Sequence, residues 1–221
     1  MSEWWTYTLS DFLLFSPSTY FRLFELYNAA IWPLQLAAVA VGVAVTALLF
    51  RGIGSRAVGA ILAASWAWVA VAFLARRYAT INWAAVYFAW AFGLEAALLA
   101  WTAFAGRIGA ARPSFAARAG LALFAAAVVL SPLAAPLWRG GWRRAEVFGL
   151  TPDPTALGTL GALLALEVRR RWRLMILPVI WCLVSGATLL AIKAPDAAVG
   201  PAAAVLASVF AIRQTRSARN A

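Results

Sequence analysis

The chain has 221 residues, of which 64% are hydrophobic and 12% charged, and its mean hydropathy is +0.81. An average soluble domain carries about 25% charged residues, and a soluble fold cannot hide this much apolar surface. With no histidine, one cysteine (Cys182) and one lysine (Lys193), histidine-ligated haem, a histidine-built zinc site, a Ser-His-Asp triad and a disulfide framework are excluded. No cofactor and no metal are expected.

The predicted fold is all-α, a polytopic transmembrane bundle of seven spans, or six if the last is not a full crossing. Residues 1–28 form an aromatic segment (Trp4, Trp5, Tyr7, Phe12, Phe15, Tyr20, Phe21, Phe24, Tyr27) with no basic n-region, so it does not read as a signal peptide. Ser16-Pro17 sets a helix start, with Ser at the N-cap and Pro at N1. This part reads as an interfacial amphipathic helix on the outer leaflet, either an aromatic anchor or a lid.

A membrane helix needs about 20 mostly apolar residues. The predicted spans of the membrane domain (29–212) are 29–50, 57–75, 81–105, 118–138, 151–168, 174–192 and 196–212, the last short and alanine-rich, followed by a basic tail, 213–221. Arginines bracket nearly every span, as expected of long cationic side chains that snorkel to the interface. The connections are too short for an extramembrane domain.

Alternating spans distribute the cations unevenly. Seven (Arg22, Arg76, Arg77, Arg139, Arg143, Arg144, Lys193) fall on the side of the N-terminus and twelve on the other. The positive-inside rule makes the twelve-cation side cytoplasmic, with the N-terminus outside and the C-terminus inside. The formal charge of +11 is thereby a topology signal matched to an anionic inner leaflet, and nucleic acid is not expected as a partner. The expected partner is the lipid bilayer, with a membrane-protein partner or a second copy of the chain as a further reading.

The stretches SEWWTYTLSDFLLFSPSTYFRLFELYNAAIWP and EVFGLTPDPTALGTLG resemble an uncharacterised family of bacterial integral-membrane proteins, the domain of unknown function number 6064. The similarity extends over most of the chain. It implies a multi-pass protein of the bacterial inner membrane and brings no activity, substrate or site residues.

Glu95, near the middle of the third span, is the leading candidate for proton, ion or ligand handling, because a carboxyl group at that depth by default faces the bundle interior and marks a functional site. Phe88 and Thr102 share its face at helical spacing, and Tyr87 and Trp90 lie beside it. With Trp66, Trp68 and Trp181, Trp90 and Tyr87 would line a flat aromatic cavity; simple packing is the plainer reading. The plainer reading of Glu95 is a structural acid hydrogen-bonded across helices.

The second candidate is the outer-face loop, where Arg143, Arg144, Glu146, Asp153 and Thr155 gather around Gly149-Leu150-Thr151-Pro152-Asp153-Pro154. It reads either as a surface for an anionic solute or headgroup, or as a helix cap and interfacial anchor. Asp153 or Thr151 would cap the fifth span, Pro154 suits its first turn, and Gly158 and Gly161 would let another helix approach closely. Glu167 precedes Arg170 and Arg171 at i+3 and i+4, which reads as an exposed ion pair at a helix end.

The functional expectation is a small proton- or cation-coupled transporter or permease with Glu95 as its mid-membrane carboxylate. The alternative is a non-catalytic structural or accessory subunit that binds a partner membrane protein or lipid. No catalytic residues are assigned, and an enzyme acting on lipid is the least supported reading, because no acid cluster or nucleophile-base pair is evident.

Overall fold

The computed structural model describes residues 15–110 and 113–219. The predicted roles of Trp4, Trp5, Tyr7 and Phe12 lie outside the described residues. Among the described residues eight α-helices follow one another: α1 (Pro17–Ala30), α2 (Leu34–Arg51), α3 (Ser55–Trp68), α4 (Ala85–Phe104), α5 (Phe115–Trp138), α6 (Pro152–Ala165), α7 (Arg171–Ala191) and α8 (Val199–Arg219). α3 runs on through a π-helical stretch, Val69–Ala75, and a short 3-10 turn, Tyr78–Thr80.

Five of these units, Leu34–Arg51, Ser55–Thr80, Ala85–Phe104, Phe115–Trp138 and Arg171–Ala191, are long and apolar enough to cross a membrane, and Val199–Thr215 is a shorter apolar helix. Besides an apolar core, they carry much apolar surface on the outside, unlike a soluble bundle. α2 buries only Gly42, Val45 and Leu49, while Leu36, Val43, Phe50, Trp90, Leu94, Phe104, Leu130 and Leu137 are exposed. Large apolar side chains on the outside need an apolar surrounding.

The predicted span 29–50 is divided. α1 ends at Ala30, a turn follows, and α2 begins at Leu34 after Pro33. Span 151–168 is also corrected. α6 stops at Ala165, and Leu166–Val168 form a strand (β2) antiparallel to Ile108–Ala110 (β1), with Ile108 opposite Val168. The strand geometry removes the helical spacing on which the Glu167 ion pair depended; Glu167 is exposed on β2.

α6 is the axis of the fold. It has 14 residues, and all but Asp153 are buried. Its glycines set its distance from α5. A Cβ on Gly161 would stand 2.6 Å from the backbone N of Phe124, and one on Gly120 2.6 Å from the carbonyl of Gly161. Only glycine permits this approach. On the other side, the buried Trp66 of α3 donates from Nε1 to Thr159 Oγ1 at 2.8 Å.

The two ends of α6 collect different loops. Near its C-terminus the β ladder forms, Ser55 Oγ donates to the Ile108 carbonyl at 3.2 Å, and Arg171 donates to the Leu166 carbonyl at 2.8 Å and to Gln214. At its N-terminus α1 packs on the segment after α5. Ser16 caps α1 by accepting from Thr19 N at 3.2 Å, Tyr27 Oη donates to the Leu150 carbonyl at 2.8 Å, and Asn28 Nδ2 donates to the carbonyls of Arg143 and Ala145, both at 2.9 Å.

Candidate functional site

Glu95 lies on the buried stripe of α4 with Phe92, Leu99 and Thr102. It is 0% exposed, and neither carboxyl oxygen has a hydrogen-bond partner among the described residues. Thr102 does not serve it; its hydroxyl donates to the Leu98 carbonyl, one turn back, at 2.7 Å. Phe88 packs its ring edge on Trp181, with centroids 5.4 Å apart. Trp90 and Tyr87 turn outward, 77% and 67% exposed.

The flat aromatic cavity is therefore corrected. Trp66 is core, stacked obliquely on Phe92 with centroids 4.2 Å apart, and Trp68 donates to Tyr27 Oη at 2.9 Å. These rings point in different directions because successive positions of one helix diverge by about 100°. Glu95 does not line the cleft described below.

The outer-loop residues do not share one surface. Arg143 is exposed and Arg144 partly buried. Arg144 donates to Glu25 Oε1 at 2.7 Å and sits over the Phe21 ring at 5.6 Å. The hydrogen bond from Arg22 Nη1 to Glu25 Oε2, at 2.7 Å, and that from Arg144 hold the Glu25 carboxyl below its usual range. Thr155 is buried as a link in a hydroxyl chain, accepting from Gly149 N at 2.9 Å and donating to the Thr151 carbonyl at 2.6 Å. Thr151 stands at the N-cap of α6 with Pro152 at N1, yet its hydroxyl turns back to Val147 and makes no cap bond. The reading of an anion-binding face loses Arg144 to the pairing with Glu25 and keeps Arg143.

Glu146 and Asp153 instead join a buried cluster around Arg139. Arg139 ends α5, and its side chain donates from Nε to Asp196 Oδ2 at 3.1 Å, from Nη2 to the same oxygen at 2.5 Å, and from Nη1 to Glu146 Oε1. Asp153, in the first turn of α6, accepts from Trp181 Nε1 at 2.7 Å and from Ser185 Oγ at 2.6 Å, both on α7. Four separate elements thus bring one guanidinium and three carboxyls together. Glu146 Oε2 and Asp196 Oδ1 are buried and have no partner among the described residues.

The cluster forms one end of a cleft of about 430 Å³, otherwise walled mostly by apolar residues of α5, α6, α7 and α8, with Ser131 among them. Burial is the main influence on Glu146. It pushes the carboxyl up to about 7 against the pull of Arg139, and the neighbouring Asp153 and Asp196 push the same way. A single Arg against three carboxyls leaves the site short of positive charge, and buried charge without a partner is costly. Such a site is completed by protons or by a cation.

From the sequence, Arg139 is one of the charged residues near the outer-face loop, and neither it nor Asp196 stands out as a site residue. Arg139 reads as an interfacial arginine, and Asp196 as one more acid on the outer side. The available signal was their assignment to the same side of the membrane in two separate loops.

Fold and site together define an all-helical protein with helices of membrane-crossing length around a buried charge cluster. Residues 18–221 match the family of unknown function DUF6064, so the chain belongs to that family. No curated protein and no solved structure matches it.

Proposed function

We propose that this is a multi-pass protein of the bacterial inner membrane, and that it works as a small proton- or cation-coupled permease with the Arg139–Glu146–Asp153–Asp196 cluster as its charge-bearing centre. The observation that carries the reading is the excess of carboxyl groups over Arg139 inside a cleft, with two carboxylate oxygens left unpartnered. Ionised, the cluster attracts a cation; protonated, it releases one. Glu146, pushed up to about 7, changes state near neutral pH, with Arg139, Asp153 and Asp196 as the charged groups facing it.

In this reading α2–α8 make seven crossings, α1 rests at the outer interface, the N-terminus is outside and the C-terminus cytoplasmic. The grouping of loops supports it. Ser55–Ile108 and Arg171–Gln214 contacts join segments assigned to the inner side, whereas Tyr27–Leu150 and Arg139–Asp196 join segments assigned to the outer side. A reporter fused after residue 221 will read cytoplasmic; a periplasmic reading rejects the topology.

The coupling role moves from Glu95 to the cluster, since Glu95 does not border the cleft. Proteoliposomes loaded with a pH-sensitive dye test this. Glu146→Gln and Asp196→Asn should each reduce pH-driven flux at least tenfold, and Glu95→Gln should not. Unchanged flux in both cluster variants removes the proposal.

The second reading, an accessory subunit, draws on the burial of Glu95 within the helix packing and on the exposed row Tyr87, Trp90, Leu94 and Trp101 of α4. It requires the purified protein to move nothing by itself.

A further inference from the structure

The cleft at Arg139 has two chemically distinct parts. On α5 its lining runs from Leu123 to Arg139, sixteen positions, or about 24 Å of helix at 1.5 Å per residue. Only the last turn is charged. The floor is apolar or nearly so: Ala127, Pro154, Leu157 and Cys182. The rim is apolar as well, and Leu130, Leu137 and Val199 on it are exposed on the outside of the bundle. The mouth therefore lies between α5 and α8 on the flank of the protein, where the bundle presents apolar side chains, and the charged end closes the cleft near the N-terminus of α6.

The charged end specifies its occupant. Asp153 has both oxygens engaged, by Trp181 and Ser185. Glu146 and Asp196, 3% and 7% exposed, each keep one oxygen without a donor. Two free acceptors and an excess of negative charge call for a positively charged group that carries its own N–H donors. A primary ammonium has three, a quaternary ammonium none. The apolar length behind the head calls for an aliphatic chain, and the cleft volume of about 430 Å³ falls in the range of about 300–1,000 Å³ for small-molecule sites.

We infer that the cleft is a binding site for a primary alkylammonium amphiphile, which enters sideways between α5 and α8 with its ammonium on Glu146 and Asp196 and its chain along α5. This deepens the permease reading, on which it rests, by naming the class of its cation. The same chemistry is offered by a free long-chain amine and by the amine headgroup of an aminophospholipid.

The test uses the purified full chain in phosphatidylcholine nanodiscs, with thermal unfolding followed by tryptophan fluorescence. Dodecylamine should raise Tm saturably, as a ligand of the folded state does. Dodecyltrimethylammonium, which lacks N–H, and butylamine, which lacks the chain, should each need at least tenfold higher concentration. Ala126→Phe fills the apolar part without touching a charge and should abolish the shift, and Asp196→Asn should weaken it at least tenfold. Should Asp196→Asn fail to fold, Ala126→Phe decides.

Equal shifts with dodecylamine and dodecyltrimethylammonium, no saturable shift, or the same shift in Ala126→Phe overturns the inference. In discs containing phosphatidylethanolamine, a raised Tm that dodecylamine no longer increases identifies the lipid as occupant, while an undiminished dodecylamine shift identifies the free amine. Cluster-dependent flux without amine binding removes this inference and leaves the permease reading. Saturable amine binding without flux does the reverse.

Discussion

Arg139 and Asp196, 57 positions apart, are joined by two hydrogen bonds to one carboxylate oxygen, at 3.1 and 2.5 Å, with both side chains 7% exposed. The pair ties the end of α5 to the turn that begins α8. Breaking a buried ion pair from one side leaves a charge without compensation, at a cost of about 3–5 kcal/mol. Arg139→Gln should therefore lower Tm in nanodiscs strongly, and adding Glu146→Gln and Asp196→Asn to it should recover much of the loss. A single variant as stable as the parent refutes the role of Arg139 as the counter-charge.

Glu146 gives the stability a pH dependence of definite sign. Its carboxyl holds its proton more tightly in the folded protein, at about 7, than at the ordinary value of 4.5. Its contribution is full below about pH 4.5 and is lost as pH rises through about 7. Unfolding midpoints measured from pH 4.5 to 8 should fall with rising pH, and Glu146→Gln should flatten that slope.

Glu95 is open to a sharper test than its sequence suggested. A partnered acid would make Glu95→Leu destabilising by stranding its donors. With no donor to either oxygen among the described residues, Leu removes a polar group and strands none. Glu95→Leu should leave Tm unchanged or raise it by the equivalent of about 1 kcal/mol. A clear drop would reveal a partner.

Gly161 and Gly93 form a matched pair. Gly161→Ala places a methyl against the α5 backbone and should cost about 1–3 kcal/mol, the usual range for overpacking. A Cβ on Gly93 meets nothing within 4 Å, so Gly93→Ala should be neutral or slightly stabilising by helix propensity. Equal effects of the two would show that α5 and α6 do not pack through Gly120 and Gly161.

The long helices were legible because their signal is local. α4 and α7 follow from runs of apolar residues, and their ends fall within four residues of the expected spans. The β ladder had no such signal. Ile-Gly-Ala and Leu-Glu-Val carry no strand pattern of their own and become strands only through pairing across 58 positions. The site was half legible for the same reason. Glu146 and Asp153 sat in a conspicuous loop, but Arg139 and Asp196 gain meaning only when α5, α6 and α8 converge. Glu95 was legible as buried, but its lack of partners belongs to the packing.

The 14 residues of α6 span about 21 Å, against a hydrocarbon core of about 30 Å, and its neighbours cover it almost entirely. In a bilayer such a segment is not retained by its own partitioning into lipid, as α2 or α5 would be. It is retained by Gly120 and Phe124 on one side and by Trp181 and Ser185, which bond Asp153, on the other. Those last two residues are synthesised after α6. In the seven-crossing reading, insertion and tertiary packing, separable stages for the longer helices, therefore become a single event for α6, which needs α7 in place to hold it.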